Sequence, residues 1–390
     1  MSLRRLARSA DLVRLRNEGY EVAVDNGHLV ISHVPYVTPD RTVAYGKLIS
    51  VLNLAGDVTV RPEDHVVYFD GATPCDQHGQ PLRKVINNSQ MFTLAPGITA
   101  QHLFSSKPAA GYIDYHHKMT SYIRMLAGHA QAVEPHATAT TFPVIDTAED
   151  QSVFHYEDTA SSRAGISAIS ATLQVGKIAI VGLGGTGAYV LDLLAKTPVG
   201  EIHLFDGDAF LQHNAFRAPG AASIEELRSK PSKVAYHHER YARMRAGIVP
   251  HEYHVTLETV AELQDMDFVF LTMEGGATKG HILNKLKDYG LPFIDVGLGV
   301  YQAAGGTLGG IVRVTTSTPK NPADQRRIPC SDDDDNDYNR NIQIADLNML
   351  NAAMAVIKWK KLVGFYADLE EEFFSTYTID GNHITNEDNR

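Results

Sequence analysis

The residues best suited to chemistry lie in the stretch 177–217 and just beyond it. Gly182, Gly184 and Gly187 stand at Gly-x-Gly-x-x-Gly spacing at the end of the apolar run Lys177–Leu183. With Gly185 they make a backbone that a phosphate can approach closely, at the positive end of the helix that should follow. Asp206 closes the next apolar run, Glu201–Phe205, where a carboxylate would meet a ribose hydroxyl. A tight strand-to-helix turn also selects glycine, so the glycines by themselves leave a purely structural reading open.

Only two thiols are present, Cys75 and Cys330. Two cannot build a disulfide framework or a four-cysteine zinc site, and this usage fits a reducing, cytoplasmic compartment. Cys75 lies in the Gly- and Pro-containing stretch Gly71–Gly79 and reads as a small buried filler ahead of a loop nucleophile. Cys330 precedes the acidic run Asp332–Asp335, which raises a thiol's pKa unless Arg326 and Arg327 compensate. His116, His117, His129 and His136 invite a metal reading. Adjacent histidines point apart on a helix, however, and no His-x-x-x-His pair accompanies them.

To present the glycines, Lys177–Leu183 must be a buried strand and Thr186–Lys196 a helix. Upstream, Val153–Leu173 carries apolar residues at helical intervals; downstream, Ile224–Arg243 reads as one amphipathic helix containing Lys230, Lys233 and Arg240. Asp267–Leu271 reads as a strand, Lys279–Tyr289 as a helix and Pro292–Val296 as a strand. This alternation predicts an α/β fold with a Rossmann-like, doubly wound, mainly parallel sheet whose ligand sits at the carboxyl ends of the strands. The glycine-rich Gly297–Gly310 is expected to pack against the same site, and Thr315–Tyr338 to be a long exposed loop. Asn341–Val363 reads as a helix with Ile344, Leu347, Leu350, Met354, Ile357 and Leu362 on one stripe.

Before this comes a smaller α+β N-terminal domain. Residues 1–20 predict a surface helix; Glu21–Val24, His28–Val34, Val58–Val60 and His65–Phe69 predict strands; Tyr112–Leu126 predicts a second helix. The segment His136–Gln151 reads as a linker. The expected domains are 1–145, 152–368 and a polar C-terminal tail, 369–390. At 390 residues the chain is long enough for such a division. Its net charge of −11 argues against nucleic acid as a partner, and no run of about 20 apolar residues offers a membrane span.

From about Phe154 to Tyr366 the sequence resembles the ThiF/MoeB/HesA superfamily, the adenylating core of ubiquitin-activating enzymes. The glycine loop is followed, in the family's order, by Asp206, Asp208, Asn214, Arg217 and Lys233. The phrases His-Asn-Ala-Phe-Arg-Ala-Pro-Gly (213–220) and Asn-Arg-Asn-Ile-Gln-Ile-Ala-Asp-Leu-Asn (339–348) look like a bacterial branch with an uncharacterised N-terminal domain. The resemblance implies ATP-dependent adenylation of the C-terminal carboxylate of a ubiquitin-like protein, with ATP and Mg²⁺ as cofactors. Asp206 would hold the ribose, Asn214, Arg217 and Lys233 the triphosphate, and Glu274 the magnesium. Glu274 departs from the family's Asp, Lys279 from a family arginine and Ala218 from a family glutamine. Arg163 matches the residue that reaches into a partner subunit's site, which implies a homodimer. Cys330 matches a cysteine that takes the activated carrier as a thioester or forms a persulfide, ahead of a conjugating enzyme or sulfur donor; an exposed thiol without a duty is the other reading.

Two rivals remain at this stage. The glycine loop with Asp206 alone also suits an NAD(P)-binding oxidoreductase, which leaves Asn214, Arg217 and Lys233 without a task. The departures at Glu274, Lys279 and Ala218 also suit a catalytically degenerate ThiF-like scaffold.

Overall fold

The computed structural model describes residues 8–147, 152–303, 305–330 and 342–387. The chain divides into two compact units, 1–145 and 146–390.

The first unit is an antiparallel sheet covered by helices. Helix α1 (Ala10–Asn17) leads into β1 (Glu21–Asp25), β2 (His28–Val37), β3 (Val43–Val51), the short pair β4 (Leu54–Ala55) and β5 (Val58–Thr59), then β6 (Val66–Asp70), β7 (Ile86–Ala95) and β8 (Ile98–Ser105). Helix α2 (Tyr115–Val133) follows, capped by Asp114, whose side chain accepts from the His117 N–H. The six-stranded sheet runs β1-β2-β3-β6-β8-β7. Leu12, Leu15, Leu29, Phe69, Tyr122 and Leu126 share its core. The sequence pattern does not mark β3, β4, β7 and β8. Most of β7 is exposed on both faces, so it lacks the alternation that marks a half-buried strand.

The second unit opens not with one helix over 153–173 but with two short ones, α3 (Thr159–Arg163) and α4 (Ser167–Ser170), and a 3-10 turn. Gly165, at φ +69°, separates them. Then come β9 (Lys177–Val181), α5 (Gly185–Ala195), β10 (Glu201–Phe205), α6 (Gln212–Ala215), α7 (Ile224–Ser229), α8 (Lys233–Tyr241), β11 (Ile248–His251), β12 (Phe268–Leu271), α9 (Ala277–Asp288), β13 (Phe293–Gln302), β14 (Leu308–Ser317), α10 (Ala345–Leu362), β15 (Phe374–Thr378) and β16 (His383–Asn386). The eight strands run β11-β10-β9-β12-β13-β14-β15-β16. Pairing is parallel from β11 to β13 and antiparallel from β13 to β16.

Strand β9 is buried on both faces. Ile178 and Ile180 join one core with Leu191 and Trp359, and Ala179 and Val181 join a second core with Leu271 and Leu283 on the opposite face. Chain order reverses between β9 and β12, the point at which doubly wound sheets open a crevice.

Three expectations change. Gly297–Gly310 belongs to a long β13–β14 hairpin rather than to a wall of the crevice. The single helix expected over 224–243 is two: Lys230 takes a left-handed φ of +48°, Pro231 follows, and Ser232 caps α8 by accepting from the Ala235 N–H. Strands β15 and β16 extend the sheet into the stretch read as a polar tail. Among the described residues no helix is long and apolar enough to cross a membrane.

Candidate functional site

A cleft of about 780 Å³ lies at the carboxyl ends of β9, β10 and β12, where Val181, Phe205 and Thr272 line it. That volume suits a nucleotide. Gly182, Gly184, Asp206, Asp208, Asn214, Arg217, Lys233, Glu274 and Lys279, spread over almost 100 residues of sequence, all line the same cleft.

The glycines are required by space. Gly182 has φ +95°, and a Cβ there would meet the Met273 backbone N at 3.0 Å. A Cβ on Gly187 would overlap the Gly182 carbonyl, so α5 could not start so close to β9. Among the described residues no side chain caps α5. Its first N–H groups and dipole therefore point at the cleft with room for an anion.

Asp206 is buried at the end of β10. Its Oδ2 accepts from the Leu183 N–H (2.6 Å) and its Oδ1 from the Asp208 N–H (2.9 Å), so it braces the glycine loop. Lys233, at the first turn of α8, donates from Nζ to Asp208 Oδ2 (2.6 Å) and Asp206 Oδ2 (3.3 Å). The bonded ammonium holds the Asp208 carboxyl below the usual carboxylate range. His254 Nε2 lies 3.4 Å from Asp208 Oδ1. Asn214 spends its Oδ1 on the Leu211 N–H (2.8 Å), which fixes α6 and the turn that carries Arg217. The Arg217 Nε is buried without a hydrogen-bond partner among the described residues. A cation so placed has a donor to spare for a bound anion.

Two groups can be weighed as metal sites. Ligand atoms of Asp206, Asp208 and His254 lie within 4.8 Å of one another, but Lys233 already neutralises both carboxylates. Glu274 is an exposed carboxylate on the facing wall. One hard oxygen ligand fits magnesium, which takes one or two protein carboxylates and completes its shell with phosphate and water.

Lys279 is buried and forms an ion pair with Asp295, which also pairs with Arg313 at 2.8 Å. Its Nζ donates to the Met273 carbonyl at 3.3 Å, so its charge is largely tied to the wall. Ala218 is buried beside Phe210 and Tyr236. Arg163 is exposed at the end of α3 and does not line the cleft of its own chain.

Cys330 is half-buried against α9, with its Cβ 3.4 Å from where a Gly280 Cβ would stand. Burial raises the thiol's pKa; Asp295 adds to this, and Lys279, Arg313 and Lys287 oppose it. The compensating cations are therefore not the expected Arg326 and Arg327, which pair with Asp324 and Glu387. Asp332–Asp335 lie outside the described residues. Cys75 is buried, and burial raises its pKa as well.

The sequence pattern missed Thr272, His213, His254 and the buried Asp295. Thr272 and His254 were within reach, since each follows the carboxyl end of a strand. The chain matches the ThiF family over residues 161–383, more than half its length. It belongs to the ThiF family. As a member it is an adenylyltransferase-like, nucleotide-binding enzyme of the class that adenylates a carboxylate with ATP. Residues 10–159 match a domain of unknown function, DUF6791. A search of curated proteins finds no match.

Solved structures similar to this ThiF-family chain include E. coli MccB with MccA-N7isoASN, at 16% identity and TM-score 0.46, covering 59% of this chain and 70% of that one. E. coli MccB with ATP is similar at 18% identity and TM-score 0.44, covering 59% and 69%. Selenomethionine PaaA is similar at 16% identity and TM-score 0.43, covering 57% and 75%.

Proposed function

We propose that the chain adenylates the C-terminal carboxylate of a ubiquitin-like protein with ATP, as a homodimer. The observation that carries this reading is the convergence of the start of α5, uncapped among the described residues, with Asp206, Arg217 and Lys233 on one cleft. A dinucleotide held for hydride transfer has no use for Arg217 and Lys233.

In the proposed reaction a carboxylate oxygen attacks the α-phosphorus. A P–O bond forms, the α–β bridging P–O bond breaks, and pyrophosphate leaves with the electron pair. The N–H groups at the start of α5, beside Gly184 and Gly185, receive phosphate oxygens. Asp206 takes the ribose hydroxyls. Lys233 turns from Asp208 to the triphosphate, and Arg217 supplies its spare donor to the charge that grows on the leaving group. Magnesium would be held by Glu274 and would supply charge neutralisation on the phosphates. Arg163 acts in the partner's site. The carrier then passes to Cys330 as a thioester, AMP leaving as the new C–S bond forms, and from there to a conjugating enzyme or sulfur donor.

ATP–pyrophosphate exchange, run with ubiquitin-like proteins ending in Gly-Gly, tests the reading. Exchange is expected with one of them, and Arg217→Ala or Lys233→Ala should lower it by roughly 10²-fold or more. ATP binding without exchange would support the degenerate scaffold, and binding of NAD in place of ATP the oxidoreductase. Cys330→Ala should keep exchange and lose a thiol-sensitive adduct; an unchanged adduct rejects the covalent step.

A further inference from the structure

The last residue of the phrase 339–348, Asn348, has no task in the reaction above, yet its amide is buried between two parts of the site. It lies in the first turn of α10 and is 1% exposed. A buried amide is costly unless its donors and acceptor are used, so its partners indicate its purpose. The Asn348 Oδ1 accepts from the Thr186 hydroxyl at 2.9 Å, and Nδ2 donates to the Arg217 carbonyl in a long bond of 3.5 Å. A carbonyl can only accept, which fixes the nitrogen toward Arg217 and leaves the oxygen for Thr186.

Both partners belong to parts that reach for phosphate. Thr186 is the second residue of α5, whose start has no side-chain cap among the described residues, and Arg217 is a cation whose buried Nε has no partner among them. Gly185 sits between them. A Cβ there would overlap the Asn348 amide nitrogen and come within 2.9 Å of the Arg217 carbonyl. The third small residue of the loop is thus needed for the amide to approach, separately from any phosphate contact.

We propose that Asn348 is a positioning residue that sets the spacing between the start of α5 and Arg217, so that both engage one triphosphate. This inference rests on the proposed function. It assigns α10, far along the chain, the task of holding register between two anion-binding parts.

The test compares ATP and AMP affinities by titration calorimetry, because only ATP spans both parts. Asn348→Ala is expected to weaken ATP about tenfold and to leave AMP within about twofold, the loss of one hydrogen-bonded brace. Thr186→Val should reproduce the effect, Thr186→Ser should restore ATP binding, and Asn348→Ala combined with Thr186→Val should be no worse than either alone. If Asn348→Ala does not fold, the Thr186 pair carries the same comparison. Equal weakening of ATP and AMP, or no change in a folded variant, overturns the inference and leaves adenylation standing. A wild-type protein that binds neither nucleotide overturns the proposed function, and this inference with it.

Discussion

His237 lies on α8, the helix that begins with Lys233, and does not line the cleft. It is fully buried on α8 between Phe210 and Tyr236, and neither ring nitrogen has a hydrogen-bond partner among the described residues. Burial, with the charges of Arg240 and Lys233, lowers its pKa from 6.5 to about 3. The unfolded chain therefore takes up a proton below pH 6.5 that the folded chain refuses down to about pH 3. The resulting stability is complete above pH 6.5 and is lost as pH falls through that window. Urea unfolding should show His237→Leu losing less stability than wild type between pH 7 and pH 5, by about 2 kcal/mol. Parallel curves would show that the imidazole is not buried neutral.

At the scale of elements, α10 departs most from its sequence pattern. The stripe read from the sequence includes Ile357, which is 45% exposed, whereas Asn348, Asn351, Ala352, Ala355 and Trp359 are buried. Small residues let α10 lie close on α5, and that closeness selects the buried face more than hydrophobicity does. At its other end Lys358 is buried and paired with Asp368 (2.7 Å), and Lys361 with Glu372 (2.7 Å). Both acids precede β15, so the C-terminal strands are fastened to α10 through charge as well as through the sheet. Ending the chain after Phe365 would strand Lys358 and expose the edge of β14. Chemical denaturation should then show a loss of about 3–5 kcal/mol, and Asp368→Asn with Glu372→Gln should give most of it. Wild-type stability in the truncated chain would mean that this fastening contributes nothing.

For the whole molecule, the two compact units are proposed to be independently folding domains, near the expected division at 145–152. Each has its own core, one around Phe69 and Tyr122, the other around Ile178 and Trp359. Expressed separately as 1–145 and 146–390, each should give one cooperative transition in calorimetry, and nucleotide binding should stay with 146–390. A second piece that aggregates, or that loses ATP affinity, would make the division a matter of contacts only.

The sequence determined what local geometry can encode. A strand, a glycine turn and a helix have fixed rise and period, so residues 177–196 and the carboxylate at 206 were legible from spacing alone, and the order Asp206 to Lys233 carried the family. Even Lys233 at a helix start could have been read, from Pro231 and the capping Ser232. Tertiary structure decided what the chain brings together from a distance. Lys279 turns toward Asp295 rather than into open cleft, Cys330 feels the charges of Lys279 and Arg313 rather than that of Arg326, and Asn348 reaches back 162 residues to Thr186. Hydrogen bonds and ion pairs act over a few ångströms of space and leave no period along the chain, so only the packed fold could place these residues.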